Sequence, residues 1–375
     1  MSKERSIQML GLGDISLGLP HAEVFFERVA TLLRRADIVV GQVEHPFTDR
    51  ALKTVDNAAP CNPVGMAVLA KAGLTLATLA GNHIWDSGPS GIEDTINGLR
   101  GLGIVTVGAG SDIEEATKPA IVEKAGVRIA FLDYNCVGLK ETYAGKEKAG
   151  CAYVHVMTHY DLDYACPGGP PTVYTYCESK SLRRMIDNVR DLRSSCDVLV
   201  VSLHKGLVHT PVKLAQYERE VTHAAIDAGA DIIFSHHAHI LKGIEVYRAK
   251  VIFHGLGNFV NVVRHLTVDP SKGLDQWAKR RKEIFGFEPD PEYPPFYPFH
   301  PEAKHTLIAR CIIEDAKISR VSYLPCFINK KGAPEILKRD ERGQQTFDYV
   351  EKITRGADLN ARFAWDGDEV VVLAP

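Results

Sequence analysis

The sequence has no apolar run of the roughly 18 residues that a membrane-spanning helix needs. It has no Cys-x-x-Cys pair among its eight cysteines, which leaves a structural zinc ribbon unsupported. It also lacks an excess of basic charge. Forty-four Lys and Arg face 47 Asp and Glu, for a formal charge of −3 over 375 residues. That balance excludes the electrostatic footprint of a protein built mainly to bind nucleic acid. Met1-Ser-Lys-Glu-Arg-Ser6 leads into a short β-like run, not into a signal-peptide core. We expect a cytoplasmic protein without membrane contact, whose cysteines are buried free thiols. What the sequence does have is histidine, 15 in all, several of them clustered where strands are expected to end.

Over the first 260 residues strand and helix patterns alternate. Ser6–Leu12, Asp37–Glu44, Leu74–Ala80, Ile104–Val107, Asp197–His204 and Asp231–His239 read as strands. His21–Arg35, Val64–Ala72, Gly91–Leu102 and a stretch from Pro211 to about Ala228 carry helical spacing. Continuous Val/Ile/Leu runs joined by helices imply a sheet covered on both faces. Gly243–Arg248, Val251–Phe259, His305–Glu314 and Arg320–Phe327 then turn all-β, which suggests that a second sheet completes a layered sandwich. We read residues 1–335 as one domain and 336–375 as a C-terminal extension packed on it. Two insertions, 141–178 and 269–304, are rich in aromatics and proline and read as loops. The basic tract Trp277–Lys282 in the second reads as a solvated helix face.

Asp14, Glu44, Asn82-His83, His204 and His237-Ala-His239 all fall at expected C-terminal strand ends. That edge is where open α/β sheets bind ligands. Carboxylate, amide oxygen and imidazole together suit a divalent ion such as Zn²⁺, Mn²⁺ or Fe²⁺. His237 and His239 share a face as i and i+2 residues. His236 points the other way and reads as a satisfied core histidine.

Six blocks carry a resemblance: Gly13-Asp14-Ile-Ser-Leu-Gly18; Val43-Glu44-His-Pro46; Ala80-Gly-Asn-His83 with Trp85-Asp86-Ser-Gly88; Leu203-His204-Lys-Gly206; Ala228-Gly-Ala-Asp231 running into His236-His-Ala-His239; and Gly255-Leu-Gly-Asn-Phe259. In this order they are similar to the poly-γ-glutamate capsule-synthesis (CapA) family of the calcineurin-like metallophosphoesterase superfamily. The match runs from residue 6 to about 260 and continues more faintly to Pro334. The resemblance implies an α/β fold, a four-layer αββα sandwich, with the site at one edge of the paired sheets. It implies metal ligation by Asp14, Glu44, Asn82, His204, His237 and His239. His83 matches the histidine that acts on the leaving group, with Asp86 placed to orient it. Two positions depart from the pattern: Ser16 stands where the superfamily has a histidine ligand, and Val208 where the family has a glutamate. One half-site is therefore thinned, and one ion, two ions or none stay open.

Two activities fit these residues. The first is a metal-dependent hydrolase of an amide-type bond (peptide, lactam or imide), with metal-activated water and His83 as general acid. The second is a metal-independent peptide epimerase using Asp14 and the histidines as acid and base. Phosphoester hydrolysis is a weaker version of the first, because phosphate sites call for more cationic contacts than Lys205 offers. Lys205, His209, His254 and Asn258 are candidate substrate contacts. The partner expected is a small molecule or peptide, not nucleic acid or membrane, and a homo-oligomer is compatible with the sequence. Tyr153, Tyr160, Tyr164, Tyr174 and Tyr176 in the first insertion and Trp277, Phe285, Phe287, Tyr293, Phe296, Tyr297 and Phe299 in the second are expected to form a lid over the site.

Overall fold

A computed structural model describes residues 6–50, 52, 60–162, 169–263 and 282–375. Tyr164, Cys166, Trp277 and the first part of the basic tract lie outside the described residues. The chain folds around two sheets. The larger contains β1 (Ile7–Leu17), β2 (Ile38–Val43), β3 (Leu76–Thr78) and β4 (Val105–Val107), all parallel. On the other side of β1, β16 (His305–Glu314) and β17 (Lys317–Ile328) continue the sheet antiparallel. β15 (Asn258–Val262) runs parallel to β1 from Asp14 onward. The smaller sheet has six strands and centres on β7 (Val127–Asn135), β11 (Val198–Lys205), β12 (Ile232–His237) and β14 (Lys250–Phe253). These four are parallel and buried almost throughout, as their unbroken apolar runs require.

The sheets pack face to face through Met9, Val40 and Leu76 on one side and Phe131, Val200, Phe234 and Phe253 on the other. A Cβ at Gly11 would come within 2.9 Å of the Phe234 ring, so this close approach depends on glycine. Helices cover the outer faces. α1 (Ala30–Leu33), α2 (Val64–Ala72) and α3 (Gly88–Gly101) seat Leu33, Leu69, Ile92 and Leu99 on the larger sheet. On the smaller sheet, α5 (Ser179–Arg193) and α6 (Gln216–Ala228) contribute Met185, Val189, Val221 and Ala225; the short α4 (Ile113–Ala116) lies between β4 and β7 in the chain. The result is the expected αββα sandwich. Residues 336–375 supply α7 (Glu341–Gly356) and two further strands, β19 (Arg362–Asp366) and β20 (Glu369–Leu373), the latter paired with β17. No helix among the described residues is long and apolar enough to cross a membrane.

Three local expectations change. His21–Arg35 is not one helix but a 3₁₀ turn, Ala22–Phe26, followed by α1. The neighbours Phe25 and Phe26 are both buried, which a regular amphipathic helix does not easily allow. The helix expected from Pro211 begins at Gln216, because the Glu218 carboxylate accepts the Ala215 N–H at 2.9 Å and sets the start there. The first insertion is no loop. It holds the antiparallel hairpin β9 (Val156–Asp161) and β10 (Thr172–Cys177), laid on α6 by Thr175 N–H to Gln216 Oε1 (3.1 Å) and Cys177 N–H to Glu220 Oε2 (2.8 Å).

Candidate active site

Six strands and the turns that follow them deliver polar side chains to one edge of the sandwich, and these divide into two halves. The first surrounds Asp14, where the regular pairing of β1 with both neighbours shifts. A Cβ at Gly13 would collide with the Gly257 carbonyl, so β1 can pass β15 only with glycine there. Asp14 is fully buried, and its carboxylate accepts the His237 N–H at 3.1 and 3.3 Å. His237 and His239 both take positive φ (84° and 53°), a conformation costly for side chains of this kind. It turns the chain so that the His237 amide faces Asp14 while the His239 ring returns to the same place. His239 Nε2 lies 3.1 Å from Glu44 Oε1, and its Nδ1 lies 3.0 Å from Asn258 Oδ1 and 3.6 Å from Asp14 Oδ2. Asn261 donates from Nδ2 to Glu44 Oε2 (3.2 Å) and to Asn258 Oδ1 (2.8 Å).

These contacts set the charges. Burial pushes the Asp14 carboxyl up, and the neighbouring Glu44 charge adds to it, to about 8. Burial also opposes ionisation of Glu44, but the His239 charge and hydrogen bond outweigh it and hold Glu44 well below the usual range. For His239 burial pulls the pKa down, while Glu44 and Asp14 raise it to about 9. This half is an internally satisfied ion pair, with acceptors on both nitrogens of one imidazolium.

The second half is neutral. His204 donates from Nε2 to Asn82 Oδ1 at 2.8 Å, and its ring lies 4.9 Å from that of His237. Burial holds His204 well below its ordinary value, and burial brings His237 down to about 3. His204 Nδ1 and His237 Nδ1 are buried without a hydrogen-bond partner among the described residues. His204 Nε2 and Asn82 Oδ1, 2.8 Å apart beside the His237 ring, are the donors that would share a divalent cation, with the unpartnered His237 Nδ1 a further buried nitrogen; His204 Nδ1 opens on the opposite edge of its ring. The residues present therefore fit the metal implied by the sequence, with Asn82, His204 and His237 placed to hold it and Glu44 bordering them.

A third group stands beside both halves. His83 Nδ1 lies 2.8 Å from Asp86 Oδ2; the imidazole is 19% exposed and the carboxylate is buried. His45 stacks on His83 with ring centroids 4.5 Å apart, and Ser16 Oγ lies 2.9 Å from His45 Nδ1. Among the described residues, the group whose ligand atoms all fall within 4.8 Å of one another is His45, His83 and Asp86. His45, Asn261 and Gln42, whose Nε2 is also an orphan, escaped the sequence reading. The first had a signal, its place directly after Glu44.

The candidate substrate contacts separate. His209 lies beside His239 (ring centroids 6.0 Å apart) and packs edge-on to Phe285 (5.3 Å) and Phe287 (4.9 Å) from the second insertion. Phe299 sits 5.2 Å from His239. Asn258 is part of the charged half. Lys205 and His254, in contrast, face away from the site. Lys205 Nζ is fully buried, 3.0 Å from Glu218 Oε2 and 3.2 Å from His254 Nδ1, and His254 Nε2 lies 2.8 Å from Glu245 Oε2. Successive strand residues point to opposite faces, so placing His204 in the site directs Lys205 into this internal network. Of the described tyrosines of the first insertion, Tyr160, Tyr174 and Tyr176 are exposed on the hairpin and Tyr153 stacks on Tyr143.

The family described as bacterial capsule synthesis protein PGA_cap matches residues 9–262. The chain is 28% identical over 274 residues to the capsule biosynthesis protein CapA of Bacillus anthracis, covering 69% of this chain and 60% of that protein. It is 30% identical over 261 residues to the PGA biosynthesis protein CapA of Bacillus subtilis (strain 168), covering 66% and 62%. The chain thus spans about three fifths of the length of these curated relatives. Among solved structures it is similar to a hypothetical protein from Thermus thermophilus (TM-score 0.47, 13% identity, 85% of this chain and 98% of that one). It is also similar to the calcineurin-like phosphoesterase YfkN from Bacillus subtilis (TM-score 0.37, 14% identity, 93% and 98%).

Proposed function

Because the chain belongs to the PGA_cap family of bacterial capsule synthesis proteins, we propose that it works on the chemistry of an amide bond, as a cytoplasmic metal-dependent hydrolase of a small molecule or peptide. The observation that carries this reading is the approach of Asn82 Oδ1 and His204 Nε2 to 2.8 Å beside the His237 ring, whose Nδ1 is buried without a hydrogen-bond partner among the described residues. A divalent cation, when bound, polarises a carbonyl and acidifies water. The rest is done by the chain. Asn82, His204, His237 and Glu44 hold the ion, and the Asp14–His239–Asn258 group keeps Glu44 ionised and in place. Asp86 holds His83 through Nδ1, so Nε2 is the atom that delivers a proton to the departing nitrogen. Amide is favoured over phosphate because Lys205, the cation that the motif offers, is consumed by Glu218. Phe285, Phe287 and Phe299 beside His209 and His239 suit a compact, partly apolar substrate.

The test is a panel of γ-glutamyl peptides, lactams, cyclic imides and phosphomonoesters, assayed with reconstituted and chelated protein. Chelator-sensitive release of amine or carboxylate from an amide supports the reading, and turnover of phosphomonoesters alone sinks it. One observation favours a second activity: Asp14 and His239, raised to about 8 and about 9, both keep protons near neutral pH and suit proton exchange at a Cα. Uptake of solvent deuterium at a substrate Cα without chain cleavage, in chelated protein, is the signature of that epimerase.

A further inference from the structure

We propose that His45, His83 and Asp86 form a second, weaker site for a divalent ion of the zinc class, and that filling it switches the enzyme off. The cluster uses different residues from the ligands already assigned, although His45 and His83 directly follow Glu44 and Asn82 in the chain. Glu44 and His45 have different partners: Glu44 bonds His239 and Asn261, His45 approaches Ser16 and stacks on His83. Two imidazoles and a carboxylate are a common three-ligand set for zinc, which binds imidazole nitrogen at about 2.0–2.1 Å. Tetrahedral coordination at those lengths spaces donors about 3.4 Å apart. The three donors here already lie within 4.8 Å of one another, and the site closes when the His45 and His83 rings, stacked at 18°, tilt so that their in-plane lone pairs converge.

Ser16 gives the cluster a feature that chance proximity lacks. Its hydroxyl lies 2.9 Å from His45 Nδ1 and is placed to accept the proton there, which leaves Nε2 as the ligating atom. A hydrogen bond on the far nitrogen is how proteins orient and tune a histidine ligand. Ser16 occupies the position where a histidine ligand is lost, so the substitution that thins one half-site also props up another cluster. Asp86 is buried and holds His83 at 2.8 Å.

The consequence for activity rests on the reading of His83 as the general acid. An ion between Asp86 and His83 Nδ1 breaks the hydrogen bond that presents Nε2 to the leaving group, so divalent ion activates at low concentration and inhibits at high concentration.

Zinc binding to the chelated full-length protein, measured by equilibrium dialysis, tests the site without any assay of turnover. The wild type is expected to bind a tight and a weak equivalent. His45→Phe keeps the ring stack but loses the nitrogen, and should lose the weak equivalent alone. Asp86→Asn should do the same and serves if His45→Phe does not fold. His204→Ala should lose the tight equivalent and keep the weak one. A wild type that binds a single equivalent, or His45→Phe and Asp86→Asn proteins that still bind two, overturns the proposal. Retention of the tight equivalent by His204→Ala contradicts instead the hydrolase reading. With turnover in hand, zinc at ten times the weak dissociation constant should cut wild-type rates at least fivefold and leave His45→Phe within twofold. Equal inhibition of both proteins overturns the switch.

Discussion

The two halves of the site are built from the same residue types and have opposite electrostatics. Around Asp14, Glu44 and His239, one imidazolium is wedged between two carboxylates and two amides, and nearly every polar atom is partnered. Around Asn82, His204 and His237, the imidazoles are neutral and two nitrogens are buried without a hydrogen-bond partner among the described residues. The difference teaches which half needs a cation. The charged half pairs its own charges, while the neutral half leaves buried imidazole nitrogen that a metal would partner. The family resemblance implies all six as ligands with one half-site thinned, and the structure adds that the thinned half is an ion pair.

The largest effect should come from the neutral half. His204→Ala removes one of about four donors and should abolish tight metal binding, whereas His239→Asn, a change among the supports of Glu44, should cost about 10–100-fold in affinity. Equal losses measured by competition with a chelating dye would erase the distinction between the halves.

His83 lies outside both. His83→Asn should leave tight metal content intact and lower kcat by about 10²–10⁴. Parallel loss of metal and turnover would make it a ligand of the activating ion.

The insertions should differ as the halves do. Replacing residues 282–301 by a short Gly/Ser bridge strips Phe285, Phe287 and Phe299 from His209 and His239. It should lower kcat/KM at least tenfold while metal binding survives. Replacing 157–176 removes the exposed hairpin and should leave kcat/KM within about threefold. If the first variant keeps native kcat/KM, the second insertion is not the lid.

The smallest effect is on stability, and it separates the halves by pH. His237 at about 3, with His236 and His254 at about 4, lies below the unfolded value, chiefly through burial. The unfolded chain takes up protons first, so their stabilisation is full above about pH 6.5 and fades as pH falls toward 4. The charged half has the opposite sign: His239, raised to about 9, stabilises below about pH 6.5 and loses that contribution as pH rises through 9. Asp14, raised to about 8, likewise loses its contribution as pH rises from about 4 to 8. The Tm of the metal-free protein should therefore fall on both sides, and His239→Asn should flatten only the alkaline limb. An unchanged alkaline limb in that variant would deny His239 its charge.

Much of this was legible in the sequence. Unbroken runs such as Asp197–His204 fixed the buried parallel strands, and the polar residue closing each run marked the site edge. The Phe285, Phe287 and Phe299 contacts follow from an insertion placed directly after β15. Other features needed three dimensions. Lys205 and His254 belong to the opposite face of the strand, and their pairing with Glu218 and Glu245 joins residues far apart in the chain. The hairpin 156–177 was hidden because its alternation is broken by a Gly/Pro-rich middle. His45 carries a sequence signal, its place directly after Glu44, but its contacts with Ser16 and His83 join residues far apart in the chain.

The central claim, that the neutral half holds the activating ion, is tested most directly by elemental analysis of protein reconstituted with excess divalent metal and then dialysed against metal-free buffer. The account predicts close to one ion per wild-type chain and none in a His204→Ala/His237→Ala double variant that remains folded. A wild type that leaves dialysis empty, or a double variant that keeps its ion, would contradict it.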